Sequence, residues 1–444
     1  MMNILNLPTF NVTNQETNEN GDYVIWVESV SPPSRCPDCG FDSLYKHGTK
    51  KQLFMDLPMH GKRVGIAINR QRYKCRNCPS SFFEKLPDID DKRMMTRRLV
   101  QWIEERSLKL TFTSIADEIG VDEKTVRNIF RDYVNRLEEQ FQRETPKWLG
   151  MDEVHLLRKY RGVVTNVERR TVIEILKNRN QDTMTKYLFS LPNRERIKYV
   201  AMDMWMPYKN AVQTALPHAK IVIDKFHVVK EANDAMEKIR KANRNGVSAK
   251  QRKQLMHDRF VLLRRRHDLR PQDIIKFELW TKNFEMIGTG YDLKEEFYEI
   301  YDTDNKIEAY NRYVAWKEKI PDTLRPYFEP VISKFDNWTE EILNYFDYRI
   351  TNAYTESLNR LIKTMHHIGR GYSFEALRAK ILFTEGMQKT KVRGSSKRSQ
   401  MRSGLGHAMT IMERACGPVY YSMWEECYGT DISTLIKALE EGEL

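Results

Sequence analysis

Three acids stand where an acid needs a reason. Asp152 interrupts the apolar run Trp148-Leu-Gly-Met-Asp-Glu-Val-His-Leu156, and Asp203 closes a second run, Tyr199-Val-Ala-Met-Asp203. Glu356 lies in Thr351-Asn-Ala-Tyr-Thr-Glu-Ser-Leu-Asn-Arg-Leu-Ile-Lys363. Helical spacing there sets Glu356, Asn359, Arg360 and Lys363 on one polar face, opposite Leu358, Leu361, Ile362 and Met365. Taken singly, strand-end acids and helix-surface glutamates are ordinary. If the two strands are neighbours in one sheet, their acids share an edge, and with Glu356 the three carboxylates form one cluster. Each close pair then repels by roughly a few kcal/mol at an effective dielectric of about 20, so the set demands protons or cations. Two magnesium or manganese ions on hard oxygen ligands answer that demand. Such a centre can activate water or a 3′-hydroxyl for in-line attack on a phosphodiester.

A second constellation is made of sulfur. Cys36-Pro-Asp-Cys39-Gly and Cys75-Arg-Asn-Cys78 are two-residue knuckles separated by strand-like text such as Arg63-Val-Gly-Ile-Ala-Ile68. Four thiolates at about 2.3 Å close a tetrahedral shell around zinc and leave no position open for chemistry, so the reading is a structural zinc ribbon. A redox dithiol, the competing reading, needs only one pair. His47 and His60 lie between the knuckles, but four cysteines suffice. The remaining Cys416 and Cys427 stand alone, unlike a secreted disulfide scaffold.

A third pattern carries recognition. In Phe112-Thr-Ser-Ile-Ala116-Asp-Glu-Ile-Gly120-Val-Asp-Glu-Lys-Thr-Val126, a small residue precedes a glycine by four positions and a β-branched one follows it by six. Ala116 permits close helix approach, Gly120 can take a positive-φ turn, and Val126 packs the second helix on the first. This is the spacing of a helix-turn-helix, with Lys124, Arg127 and Asn128 as candidates for contact with DNA in the major groove. An ordinary helical hairpin is the alternative.

The elements that must position these residues follow from periodicity. An alternating segment, residues 23–27, suggests a small β unit after a polar, Asn-rich opening. Apolar positions at three- and four-residue steps (Leu99, Ile103, Ile115, Ile119, Val126, Ile129, Phe130, Val134) predict a compact helical module over 92–142. Thr145-Pro146 ends it. Strands are expected at 148–156, 162–167, 171–176, 197–202 and 221–223, with helices at 184–191 and 208–216, an α/β core with a mixed sheet. Residues 228–348 read as a long basic helical block with Trp280, Trp316 and Trp338. Residues 389–402 read as a basic loop able to follow a DNA backbone. Lys plus Arg number 73 against 61 for Asp plus Glu, a net charge of +12 that favours polyanionic partners. Neither a secretory signal nor an apolar run of membrane-spanning length is found, so the expectation is a soluble, intracellular protein without membrane association.

At these residues the sequence resembles the DDE transposases of bacterial insertion sequences, specifically the ISL3 family, along nearly the whole chain. The resemblance rests on both cysteine knuckles, the helix-turn-helix, Gly150-x-Asp152-Glu153, Asp203-Met204 with Tyr208, Pro217 through Ile221-Val-Ile-Asp224-Lys-Phe-His227, Asn352-x-x-x-Glu356-x-x-Asn359, Lys363 and Gly371-Tyr372. It implies a catalytic triad of Asp152, Asp203 and Glu356 holding magnesium or manganese in an RNase H-like core. It also implies zinc on Cys36, Cys39, Cys75 and Cys78, and an auxiliary role for Asp224 and His227. Where the family carries a glycine-rich segment before the glutamate, this chain has Thr351-Asn-Ala-Tyr-Thr355.

The expected organisation is a β segment and zinc ribbon (1–90), a helix-turn-helix domain (91–145), and a first core segment (146–227). A helical insertion (228–348), a second core segment carrying the glutamate helix (349–388) and a basic loop with a helical tail (389–444) follow. The implied activity is binding of terminal inverted repeats in double-stranded DNA, then metal-dependent cleavage and strand transfer into target DNA. Asn359, Arg360 and Lys363 are expected to join Lys124, Arg127 and Asn128 in holding DNA. A homodimer or larger synaptic assembly, nucleoid-associated in the cytoplasm and using no nucleotide cofactor, completes the expectation. A non-catalytic DNA-binding regulator and a nuclease of the same fold are the rival readings.

Overall fold

The structure, a computed structural model, describes residues 5–141, 144–246, 248–369 and 371–386. The basic segment 389–402 and Cys416 and Cys427 lie outside them. The chain divides into two compact units, Met1–Gln142 and Arg143–Leu444.

In the first unit, strands β1 (Phe10–Thr17), β2 (Tyr23–Ser29), β3 (Leu44–Met59), β4 (Lys62–Cys75), β5 (Ser81–Phe83), β6 (Ile89–Asp90) and β7 (Met95–Thr96) form one sheet. Its order is β1-β2-β4-β3-β7-β6, with β5 on β4. The expected small β unit is thus part of a larger sheet, because β2 pairs in parallel with β4. The Asn-rich opening is itself a strand: β1 buries Phe10 and leaves its other residues exposed, as an edge strand can. Ile25, Val27, Phe54, Val64, Ile66 and Ile68 supply the core. Helices α1 (Arg97–Ser107), α2 (Phe112–Ile119) and α3 (Glu123–Gln140) follow. Thr96 caps α1 through the Leu99 N–H and also donates to the buried Asp56 carboxylate at 2.6 Å, so one hydroxyl starts the helix and ties it to β3.

The second unit holds a five-stranded sheet of β8 (Trp148–Leu156), β9 (Lys159–Asn166), β10 (Thr171–Ile175), β11 (Tyr199–Met202) and β12 (Lys220–Ile223). The order is β10-β9-β8-β11-β12. The first three strands form an antiparallel meander, and β11 and β12 add in parallel. Parallel addition needs crossover helices. The one before β11 is α4 (Gln181–Ser190), and the one before β12 is α5 (Met206–Ala215). After β12 come α6 (Lys225–Ala242) and seven further helices. These are α7 (Ala249–His257), α8 (Arg259–Leu263), α9 (Pro271–Asn283), α10 (Glu285–Ile300), α11 (Lys306–Lys319), α12 (Arg325–Asn337) and α13 (Thr339–Tyr348). The chain returns to the sheet with α14 (Ala353–Gly369) and α15 (Phe374–Glu385).

The helical block is continuous with the sheet. Trp280, Trp316 and Trp338 lie in the same buried cluster as Met151, Val200 and Ile223. Asn344 of α13 donates to the Ile221 carbonyl at 2.9 Å, satisfying a backbone group at the edge strand β12. Within the block the arginine run meets acids: Arg264 pairs with Asp273, Arg265 with Asp302 and Arg266 with Asp292. Among the described residues no helix is long and apolar enough to cross a membrane.

Candidate functional site

Register brings the first two acids together. Met151 of β8 pairs with Met202 of β11, so the next residue on each parallel strand, Asp152 and Asp203, lies at the same edge. Glu356 arrives from α14, which packs across β8 because the strand offers a gap. Gly150 leaves room for three polar side chains: an added Cβ would lie 2.3 Å from Thr165 Oγ1, 2.8 Å from Asn352 Oδ1 and 2.9 Å from Thr355 Oγ1. These groups bond one another. Thr165 and Thr355 hydroxyls are 2.8 Å apart, Thr355 donates to Asn352 Oδ1 at 2.5 Å, and Asn352 Nδ2 donates to the Met151 carbonyl at 3.2 Å. A fully satisfied buried network fixes the helix on the strand and therefore Glu356 beside the two aspartates.

His227 completes the group. From the first turn of α6, its Nε2 lies 2.8 Å from Asp203 Oδ1 and 3.1 Å from Glu356 Oε1. Burial opposes the charged imidazole, but these two acids outweigh it and hold His227 up at about 10. Asp152, buried and facing Asp203, is pushed up to about 8.

Two predicted residues take other places. Asp224 is fully buried and cannot touch DNA. Its carboxylate caps α6 through the Phe226 N–H at 3.0 Å and also accepts the Asn352 N–H, so it braces the start of α6 against the start of α14. Burial raises it to about 6, against the pull of those two N–H groups. Asn359, expected on the DNA side, is instead buried. Its Nδ2 donates to Asp152 Oδ2 at 2.7 Å and to the Glu153 carbonyl at 3.3 Å. Arg360 and Lys363 are exposed on α14, as expected. Replacing Asn359 with Ala should lower activity roughly 10- to 100-fold and raise the metal concentration needed, as loss of a group that orients a metal ligand does. A magnesium titration of cleavage checks this, and an unchanged curve would refute the role.

Do the acids suit a cation? Asp203 Oδ1 and His227 Nε2, although close, make no hydrogen bond, and both are buried. Three carboxylates that share a single imidazole between two of them are the chemistry of a hard-cation site. The arrangement is open: among the described residues, the four cysteines are the set of possible ligands whose donor atoms all fall within 4.8 Å.

Those cysteines fit zinc. With about 2.3 Å from metal to sulfur, tetrahedral thiolates are about 3.8 Å apart. Cys36 and Cys78 sulfurs lie 3.7 Å apart, and Cys39 and Cys75 sulfurs 3.6 Å apart. The first knuckle turns through Gly40, at φ 74°, whose N–H bonds the Cys36 carbonyl. In the second, the Asn77 N–H points at Cys75 Sγ at 3.3 Å.

In the helical module, Gly120 ends α2 in the left-handed region at φ 73°, its N–H bonded to Ala116, and Val126 is fully buried. The spacing thus marks a helix-turn-helix. Lys124 and Arg127 are exposed, Arg127 in a surface pair with Glu123 that costs little to break. Asn128 is half-buried and accepts from Arg131.

Sequence reasoning gave no role to Thr165, Thr355 or Asn352. Thr165 and Thr355 are 190 positions apart, and no local pattern joins them.

Known protein families match three stretches of the chain. Residues 149–381 match a family described as Transposase, of the DDE type of ISL3. Residues 32–78 match the zinc-finger of transposase IS204/IS1001/IS1096/IS1165, and residues 84–134 match the helix-turn-helix domain of transposase family ISL3. The transposase for insertion sequence element IS1001 of Bordetella parapertussis is 24% identical over 355 residues, which is 78% of this chain and 87% of that protein.

Proposed function

We propose, from the premise that this chain belongs to the ISL3 family of transposases, that it binds the terminal inverted repeats of an insertion sequence and catalyses metal-dependent cleavage and strand transfer. The observation that carries the reading is the convergence of Asp152, Asp203 and Glu356 from two adjacent parallel strands and one helix, with His227 touching two of them. The strand order of three antiparallel strands followed by two parallel ones supports an RNase H-like core. The zinc ribbon and helix-turn-helix serve to recognise the element end.

Magnesium or manganese held by the three acids would stabilise charge on the phosphodiester and supply a nucleophile at neutral pH. The chain's own groups do the rest. Asn359 fixes the rotamer of Asp152 by donating to one carboxylate oxygen while the Glu153 N–H, at 2.7 Å, donates to the other. His227 holds Asp203 and Glu356 at a set separation and is a proton reservoir between them. Asp224 keeps His227 and Glu356 in register by bonding both helix starts. Arg360, one residue after Asn359, and Lys363, one turn beyond Arg360, offer exposed charge to the phosphates flanking the reacting one. Two ends must be cut together, so a dimer or larger assembly is part of the proposal. Structural zinc sits in the ribbon, and no nucleotide is used.

The test supplies duplexes carrying the element's own end, magnesium and a supercoiled plasmid. Wild-type protein is expected to join the 3′-hydroxyl of the end to the plasmid. Cleavage without joining would make it a nuclease, and binding without either would make it a regulator.

A further inference from the structure

Beside the acids lies an aromatic surface that this reaction scheme does not use. Trp205 opens α5 two residues after Asp203 and is 38% exposed, and Tyr160 in β9 is 49% exposed. The Arg179 guanidinium lies against both rings, 4.1 Å from the Tyr160 centroid and 4.7 Å from that of Trp205. Its charge is met by Glu153, the neighbour of Asp152. The surface is joined to the site through the main chain: the Trp205 backbone N–H donates to the Asp203 carbonyl at 2.7 Å, which fixes the point from which the side chain leaves relative to that acid.

Large rings left open next to phosphodiester-cutting acids need a partner with flat π faces. Nucleobases have them, and stacking on aromatic rings and guanidinium planes is tolerant of sequence. A paired base inside a duplex has both faces covered by its neighbours. Only a base out of the stack can use this surface, and taking one out costs least where its pair is mismatched or already open. We propose that Tyr160, Arg179 and Trp205 form a stacking site for an unpaired base beside the scissile phosphate. Arg179 serves twice: it neutralises Glu153, which would otherwise be a fourth acid competing for cations, and it holds the two rings apart. The inference rests on the DNA-cleavage reading above.

The test compares full-length wild type, Trp205→Ala and Trp205→Phe on element-end duplexes that are fully paired or mismatched at the pair flanking the cut. Stacking on one aromatic side chain is worth roughly 5- to 150-fold per base. Trp205→Ala should therefore cut paired ends slower by about that factor, while Trp205→Phe stays near wild type. A mismatch, which removes the cost of unpairing, should restore most of the loss. Equal slowing on paired and mismatched ends, or no slowing on either, would overturn the proposal. Binding is read separately with 2-aminopurine at the flanking position, without added magnesium. A fluorescence change given by wild type and missing in Trp205→Ala supports the stacking site, and identical signals reject it. That readout holds even if wild type cuts nothing, an outcome that would defeat the cleavage reading alone.

Discussion

Asp152→Asn, Asp203→Asn and Glu356→Gln are each expected to lower cleavage of an element end by on the order of 10³-fold or more while leaving end binding intact. Each change keeps the shape of the side chain and removes one negative charge from a site proposed to hold positive charge against a phosphodiester. The geometry says why no acid can cover for another. Asp152 and Asp203 reach the site from fixed strand positions, and Glu356 from a helix locked by Thr165, Asn352 and Thr355. Stability should move little, because removing a charge relieves repulsion among the acids and, at Asp203 and Glu356, also weakens the ion pair to His227. Asp152→Asn is the exception, since its amide NH₂ would meet either the Asn359 Nδ2 or the Glu153 N–H. Melting temperature separates that local conflict from loss of chemistry. A single variant of the three that cuts within tenfold of wild type would remove its residue from the triad.

The legible part of this molecule was the part written locally. Alternation and apolar runs marked the core strands within a few residues, since a strand buried on both faces reads as a run of Val, Ile, Leu and Met. Spacing alone carried the cysteine knuckles and the turn at Gly120. What was not legible depends on partners far apart in the chain. Asn359 looked like one more polar residue on a charged helix face, yet the helix is rotated so that it meets Asp152, 207 positions away. Asp224 carried an auxiliary role by resemblance, and its place as a buried brace was not legible because one of its partners, Asn352, lies 128 positions away. The polar strand β1 gave no apolar alternation because an edge strand in this sheet buries one residue.

Removing zinc should unfold one end of the first unit and spare the other. The inner halves of β3 and β4 carry Phe54, Val64, Ile66 and Ile68, all buried, and are held by the rest of the sheet. The outer half of β3, Leu44 to Lys51, is almost entirely exposed, and opposite it Arg70, Tyr73 and Cys75 are the buried residues. A ribbon whose apolar centre is little more than Tyr73 stacked on Phe82 of β5 does not hold itself together in water. Structural zinc in comparable sites contributes about 10–16 kcal/mol of apparent binding free energy, far more than an exposed hairpin loses on fraying. Chelation, or Cys36→Ser with Cys75→Ser, is therefore expected to abolish amide protection in the outer ribbon while the inner sheet and α1 to α3 remain protected. End binding should fall with it, since the outer ribbon carries Lys46, Lys50, Lys51, Arg72 and Arg76 exposed beside the knuckles. Metal analysis should find one zinc ion on each chain. Cobalt replacement should give the sulfur-to-metal charge-transfer bands of a four-thiolate tetrahedron, because no nitrogen ligand is needed to close the shell. Unaltered hydrogen exchange in the ribbon after complete metal removal would mean that strand pairing alone supports it, and that the cysteine cluster serves something other than folding.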